Sequence, residues 1–158
     1  MRLRIASLAL VFCAAAAAQS SSGYVYVAPG GATSSGNTSM TLQMGVGGDF
    51  ILGKGIGVGA EVGAVGPRSD FSGGVLGLFS PNASYHFVHS KENKFDPYVT
   101  GGYTMFFRAG HENLFNFGAG ANYWFARRVG LKMEFRDQVY TQFTPVHFWG
   151  VHLGLAFR

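Results

Sequence analysis

The chain has 158 residues, room for one domain and no obvious second one. Charged residues make up 13% of it, about half the usual ~25%, while aromatics reach 15% and glycine occurs 24 times. That balance excludes a disordered chain, which is poor in aromatics and rich in charge. It also excludes a helical membrane protein, because no apolar run beyond Ser20 reaches the ~18 residues that a spanning helix needs.

Arg2 and Arg4 open the chain, followed by an apolar stretch from Ile5 to Ala18 that ends in Ala16-Ala17-Ala18 before Gln19. This pattern predicts a secretory signal peptide over residues 1–18, followed by one mature domain over residues 19–158. Cys13 invites a lipoprotein reading, but Phe12 stands where a lipoprotein signal needs a small residue. Cleavage after Ala18 removes the single cysteine and with it any disulfide, thiol nucleophile or cysteine metal site. Losing Arg2 and Arg4 lowers the formal charge from +4 to +2, too weak to argue for a nucleic-acid partner.

The rest alternates between apolar and small or polar residues with period two, the mark of strands with two unlike faces. Gly23 to Ala28 is the first and least defined strand. Met40 to Leu52 sets Met40, Leu42, Met44, Val46 and Phe50 against Thr41, Gln43, Gly45, Gly47 and Asp49. Ile56 to Gly66 sets Ile56, Val58, Ala60 and Val62 against Gly57, Gly59, Glu61 and Gly63. Val75 to Val88 and Phe95 to Arg108 continue the pattern, with Ser80, Asn82, Ser84 and His86, then Tyr98, Thr100, Gly102 and Arg108, on their polar faces. Asn116 to Phe125, Val129 to Tyr140 and His147 to Arg158 complete a set of eight. Val129 to Tyr140 is the clearest, with Val129, Leu131, Met133 and Phe135 opposing Gly130, Lys132, Glu134 and Arg136. Most segments exceed the ~5 to 6 residues of an ordinary strand and match the ~9 to 11 that a tilted strand needs to cross a bilayer. Tight connectors are expected at Gly53-Lys54-Gly55 and Arg127-Arg128, with a longer polar one at residues 88–94 on the same end. Slightly longer loops are expected opposite, at residues 30–38, 67–73, 109–114 and 141–145.

Alternation alone also suits a soluble ligand-binding barrel with its apolar face inward. The polar face decides between the two. It is mainly glycine, with serine, asparagine and a few charges, whereas a water-exposed face would be crowded with charge. Glycine with sparse charge fits the narrow interior of eight strands, and the bulky apolar face fits lipid. The expected fold is all-β, a closed antiparallel up-and-down transmembrane barrel of eight strands. Charges inside need partners, because an unpaired buried charge is costly. Glu134 lies between Lys132 and Arg136 on one face, and Glu61, Asp49 and Arg108 come from other strands. These six form the expected lumenal polar network, either a structural ion-pair plug or a path for water and small ions.

The segments Pro97-Tyr98-Val99-Thr100-Gly101-Gly102-Tyr103, Phe117 to Trp124 and Val129 to Asp137 resemble the small eight-stranded outer-membrane barrels of the OmpA and opacity types. The last strand, apolar at every second position up to Phe157, is similar to that family's assembly signal, with Arg158 as a departure. The resemblance covers most of residues 22–158. It implies an outer-membrane location, outer-membrane lipid around a monomeric barrel, and contact with the secretion and barrel-assembly machineries. It is a pattern of strands, so it speaks to fold and location more than to activity.

Motifs with catalytic precedent do not hold up. Gly48 to Gly55 approximates a phosphate-binding loop, but Gly55 replaces the hydroxyl residue and no helix follows. Gly57-Val58-Gly59 lacks the spacing of a dinucleotide fingerprint. None of His86, His89, His111, His147 and His152 shares a strand face with another at metal-ligand spacing. The His-x-Ser pair of lipid A deacylase barrels is missing, since His89-Ser90 is adjacent and sits in a turn. The sequence therefore predicts no enzyme, no metal and no cofactor. It predicts a structural or surface-display barrel, with a narrow pore for small polar solutes as the alternative and a soluble periplasmic binding barrel as the minority one.

Overall fold

A backbone that must pair every N–H and C=O without help from water has two options, helices or a closed ring of strands. The computed structural model of this chain, which describes residues 20–88, 93–108, 110–142 and 144–158, takes the second. The expected signal segment, with Arg2, Arg4, Cys13 and Gln19, lies outside the described residues, as do His89 and Ser90. The strands are β1 (Ser20–Ser34), β2 (Asn37–Gly53), β3 (Ile56–Pro67), β4 (Leu76–His86), β5 (Phe95–Phe107), β6 (His111–Tyr123), β7 (Val129–Tyr140) and β8 (Val146–Phe157). Each pairs antiparallel with its sequence neighbour, and β1 closes the ring against β8, with Val25 opposite Leu155. Closure leaves no free sheet edge. One helical turn, α1 (Phe71–Gly74), interrupts the β3–β4 connection, where Asp70 accepts a hydrogen bond from the Gly73 N–H at 3.0 Å.

The least defined strand in the sequence is among the longest in the fold. Residues 30–34, expected in a loop, continue β1, which turns at Ser35-Gly36. Both residues have positive φ (48° and 82°), the mirror-image geometry whose twist matches a hairpin. Lys54-Gly55 makes the same turn at the other end, with φ of 50° and 81°. The expected contrast in loop length therefore fails. Each end combines short and longer connections, with Ser35-Gly36 and residues 68–75 at one end and Lys54-Gly55 and residues 87–94 at the other.

The assignment of faces holds. Val62, Met133 and Phe135 project outward and are more than half exposed, and Phe115 reaches 63%. Glu61, Glu134, Arg136 and Gln138 project inward and are buried. This arrangement inverts that of a soluble ligand-binding barrel, so the minority reading is corrected: an apolar exterior around a charged interior suits lipid outside. Among the described residues no helix is long and apolar enough to cross a membrane.

Inside, the barrel is layered. Toward the end that holds the start of β1 and the end of β8, Tyr24, Tyr26, Ala28, Trp124 and Ala156 pack together. Toward the opposite end, Val65, Leu78, Phe106 and Leu114 form a second apolar cluster with Leu76, Tyr140 and Phe148 against it. Between them lie the charges. Glycines leave the space that these large side chains need. A Cβ on Gly47 would lie 2.5 Å from the Tyr24 ring, and one on Gly130 would lie 2.8 Å from the Trp124 ring. The glycine-rich inner face is thus the steric complement of a few bulky residues.

Candidate functional site

The lumenal cluster is built around Arg136 of β7. Strands β3 and β7 are four apart in a ring of eight, so Glu61 and Arg136 face each other across the diameter. The guanidinium bridges that diameter in a two-pronged contact, Nη1 donating to Glu61 Oε2 at 2.6 Å and Nη2 to Glu61 Oε1 at 2.9 Å. Its Nε donates to Glu134 Oε1 at 2.5 Å. A planar fork suits this task, since one cation holds two carboxylates in fixed geometry. Glu134 is reached from Arg136 along its own strand because residues two apart share a face.

Lys132 extends the cluster toward the β1-start end. Its Nζ lies 3.5 Å from Glu134 Oε2 and 3.6 Å from Asp49 Oδ2. The same ammonium sits between two rings on opposite walls, 4.2 Å from the Tyr24 centroid and 4.4 Å from that of Tyr98, so ring faces supplement the carboxylates. Tyrosine hydroxyls add hydrogen bonds to two of the carboxylates. Tyr24 donates to Glu61 Oε1 at 2.8 Å and Tyr98 to Glu134 Oε2 at 2.7 Å. Gln43 donates to the Tyr26 hydroxyl at 3.0 Å, and Tyr26 stacks on His152 at 4.6 Å.

Five of the six expected network residues therefore converge: Asp49, Glu61, Lys132, Glu134 and Arg136. Arg108 does not, and its placement is a correction. It has the inward parity of its strand but lies one residue past the end of β5, exposed, with Nη1 donating to the Gly73 carbonyl at 2.9 Å. Parity along a strand sets direction but not depth. Tyr98 was already on the polar face of its strand, and Tyr24 and Tyr26 were the residues that charge-based reasoning missed. Their signal was available, because Tyr24 and Tyr26 alternate with Val25 and Val27, which face outward.

Two further polar groups line the interior. Ser80 Oγ and Thr104 Oγ1 share a hydrogen bond at 2.8 Å, and Asn116 Nδ2 donates to both, at 3.1 and 3.0 Å. Toward the β1-start mouth, Ser84 Oγ lies 3.2 Å from His86 Nε2, and His86 Nδ1 lies 2.9 Å from both Asp96 oxygens. Asn122 also donates to Asp96, at 3.1 Å. The Ser–His–Asp connectivity is that of an activated nucleophile. Its surroundings are tight. The His86 ring is buried and stacks on Tyr98, and the Gly57 backbone lies so close beneath Ser84 Oγ that even a Cβ there would collide with it.

Among the described residues no group of histidine, cysteine or carboxylate side chains has the placement to hold a metal ion. The phosphate-loop look-alike runs along the end of β2 and through the Lys54-Gly55 turn, and Gly57-Val58-Gly59 lies within β3.

No protein-family model and no curated protein matches the sequence. Solved structures do match the architecture. The N-terminal β-barrel domain of Pseudomonas aeruginosa OprF superposes with a TM-score of 0.65 at 19% identity, covering 89% of this chain and 98% of that one. The fold is that of the small outer-membrane β-barrels. Neisserial surface protein A gives a TM-score of 0.69 at 12% identity over 87% of this chain and 96% of its own. A de novo designed transmembrane β-barrel matches as well, with a TM-score of 0.55 at 19% identity over 86% and 93% of the two chains. The same architecture can host unrelated functions, so it does not by itself fix an activity.

Proposed function

We propose that this chain is an outer-membrane β-barrel with an occluded polar lumen, serving a structural or surface-display role. The observation that carries this reading is the Arg136–Glu61 bridge across the lumen diameter, braced by Glu134, Lys132, Tyr24 and Tyr98. An eight-stranded interior is just wide enough for side chains to fill, and here large side chains occupy it at several levels. The apolar layer of Val65, Leu78, Phe106 and Leu114 supports the same conclusion, because a water column would have to pass an unfavourable surface. Secretion through a cleaved segment at residues 1–18, with residues 19–158 as the barrel domain, belongs to this proposal. So do surrounding outer-membrane lipid, insertion by the barrel-assembly machinery and a monomeric state.

One set of atoms favours the narrow-pore alternative. Gln138 Nε2 and Oε1, Asn116 Oδ1 and His152 Nδ1 are buried without a hydrogen-bond partner among the described residues. Water is the natural partner for such groups. Waters confined between the ion cluster and the apolar layer fit an occluded lumen, whereas a continuous file fits a pore. Single-channel conductance in planar bilayers separates the two. The occluded reading expects at most rare, small openings. A large steady conductance from the unaltered protein would move the pore to first place.

A further inference from the structure

Charge is distributed unequally between the two ends of the barrel. At the end with the start of β1 and the end of β8, Lys54 caps the β2–β3 turn, Lys94 precedes β5, and Arg127 and Arg128 form the β6–β7 connection. All four are exposed. Arg158 follows β8 at the same level, donating from Nε to the Arg127 carbonyl at 3.2 Å with its guanidinium over the Trp124 ring. The described acids near this end are turned inward: Asp96 binds His86 and Asn122, and Asp49 pairs with Lys132. Lys91 and Glu92, outside the described residues, carry opposite charges. At the other end the exposed Arg68 and Arg108 are balanced by the exposed Asp70 and Glu112.

The basic groups do not form a compact patch. They occupy three successive turns and the end of β8, and so ring the barrel. Immediately beside them, on the outer face, stand Phe50, Tyr85, Phe87, Phe95, Tyr123 and Phe157, all exposed. Aromatic rings with one apolar and one wet side belong at headgroup depth, the girdle position of membrane barrels. A cation just outside such a girdle is at the height of lipid phosphates. A macromolecular partner docking end-on would meet the turns but not the aromatic belt below them, whereas lipid meets both.

We propose that this basic ring and its aromatic girdle form a binding surface for anionic glycerophospholipid headgroups, which gather around one end of the barrel and not the other. The proposal rests on the barrel being membrane-embedded. Each Lys or Arg close to an anionic surface favours binding about fivefold, an effect that salt screens over ~10 Å.

The test uses the folded protein in phosphatidylcholine vesicles doped with spin-labelled phosphatidylglycerol or spin-labelled phosphatidylcholine. The fraction of each probe immobilised at the protein surface is read by electron spin resonance. The expected result is a severalfold enrichment of phosphatidylglycerol at low salt that collapses at high salt. Arg127→Ser with Arg128→Ser should lower that enrichment, and Lys54→Ser alone should lower it less. Arg68→Ser with Arg108→Ser, at the opposite end, should leave it unchanged. Equal immobilisation of the two probes by the unaltered protein, or enrichment indifferent to salt and to the ring substitutions, overturns the proposal. The salt titration needs no variant, so it decides the matter even if a substitution prevents folding. Failure to insert into phosphatidylcholine alone, read as missing β-sheet circular dichroism and missing protease protection, would instead remove the membrane reading and this proposal with it.

Discussion

Replacing Arg136 with Met examines the centre of the lumen directly. Met keeps an unbranched stem that ends about where the Arg Nε sits, and removes the charge and three donated hydrogen bonds, two to Glu61 and one to Glu134. The central cluster then holds three carboxylates, Asp49, Glu61 and Glu134, against the single cation Lys132. Removing one partner of a buried ion pair costs about 3–5 kcal/mol, because the other charge is left uncompensated. Here the stranded groups keep partial support. Glu61 retains the Tyr24 hydroxyl, and Glu134 retains Tyr98 and Lys132. The loss should therefore fall near the lower bound, about 3 kcal/mol, a roughly hundredfold change in the unfolding equilibrium. Urea unfolding in liposomes, followed by the emission of Trp124 and Trp149, measures it. Adding Glu61→Gln should restore part of the loss, since it removes one of the unpaired charges, and the double-mutant cycle isolates that coupling. An Arg136→Met barrel with the parent's midpoint, and no coupling to Glu61→Gln, would refute the claim that this cluster holds the barrel together.

Met133 lies one residue from Glu134 and points the opposite way, 55% exposed near the middle of β7. Met133→Arg should cost about 2–4 kcal/mol in the same liposome assay if the outer face is lipid, and an unchanged midpoint would show that the faces are inverted. Ser84, in line with His86 and Asp96, has the connectivity of a nucleophile but the packing of a structural relay. A fluorophosphonate probe should therefore leave it unlabelled, whereas labelling lost on Ser84→Ala would reveal a reactive serine at the barrel mouth.

Much of the architecture was legible because a strand in a two-sided environment writes its faces into the sequence with period two. Val129 to Tyr140 was read residue for residue, and Glu61 was placed inside from its neighbours alone. Elements with weaker alternation were read less well. In β1, Pro29-Gly30-Gly31-Ala32 carries turn-like residues, so the strand looked finished at Ala28. It continues because Gly30 packs against the backbone of Trp149 and Gly150 in β8, so close that a Cβ would collide with it, and a sequence does not display that contact between its first and last strands. The same limit hid the apolar layer. Leu78 and Phe106 share parity with Ser80 and Tyr98, but nothing in their own strands shows that they meet. They face inward because barrel closure gathers them with Val65 and Leu114 into one cluster.

The sequence by itself determined that the chain forms eight strands and, for all but the first, which side is apolar, since both follow from local residue order and the two-residue period. It also determined that a handful of charges would lie inside. Only the tertiary structure decided which of those charges meet. Arg136 reaches Glu61 because their strands lie four apart in a ring of eight and because register sets both at one height, with Gly47 opposite Glu61 and Gly118 opposite Arg136. Arg108, with the same parity, lies beyond the end of β5 and binds the Gly73 carbonyl instead. Depth along the barrel axis comes from strand tilt and register, properties of the closed ring that no single strand encodes.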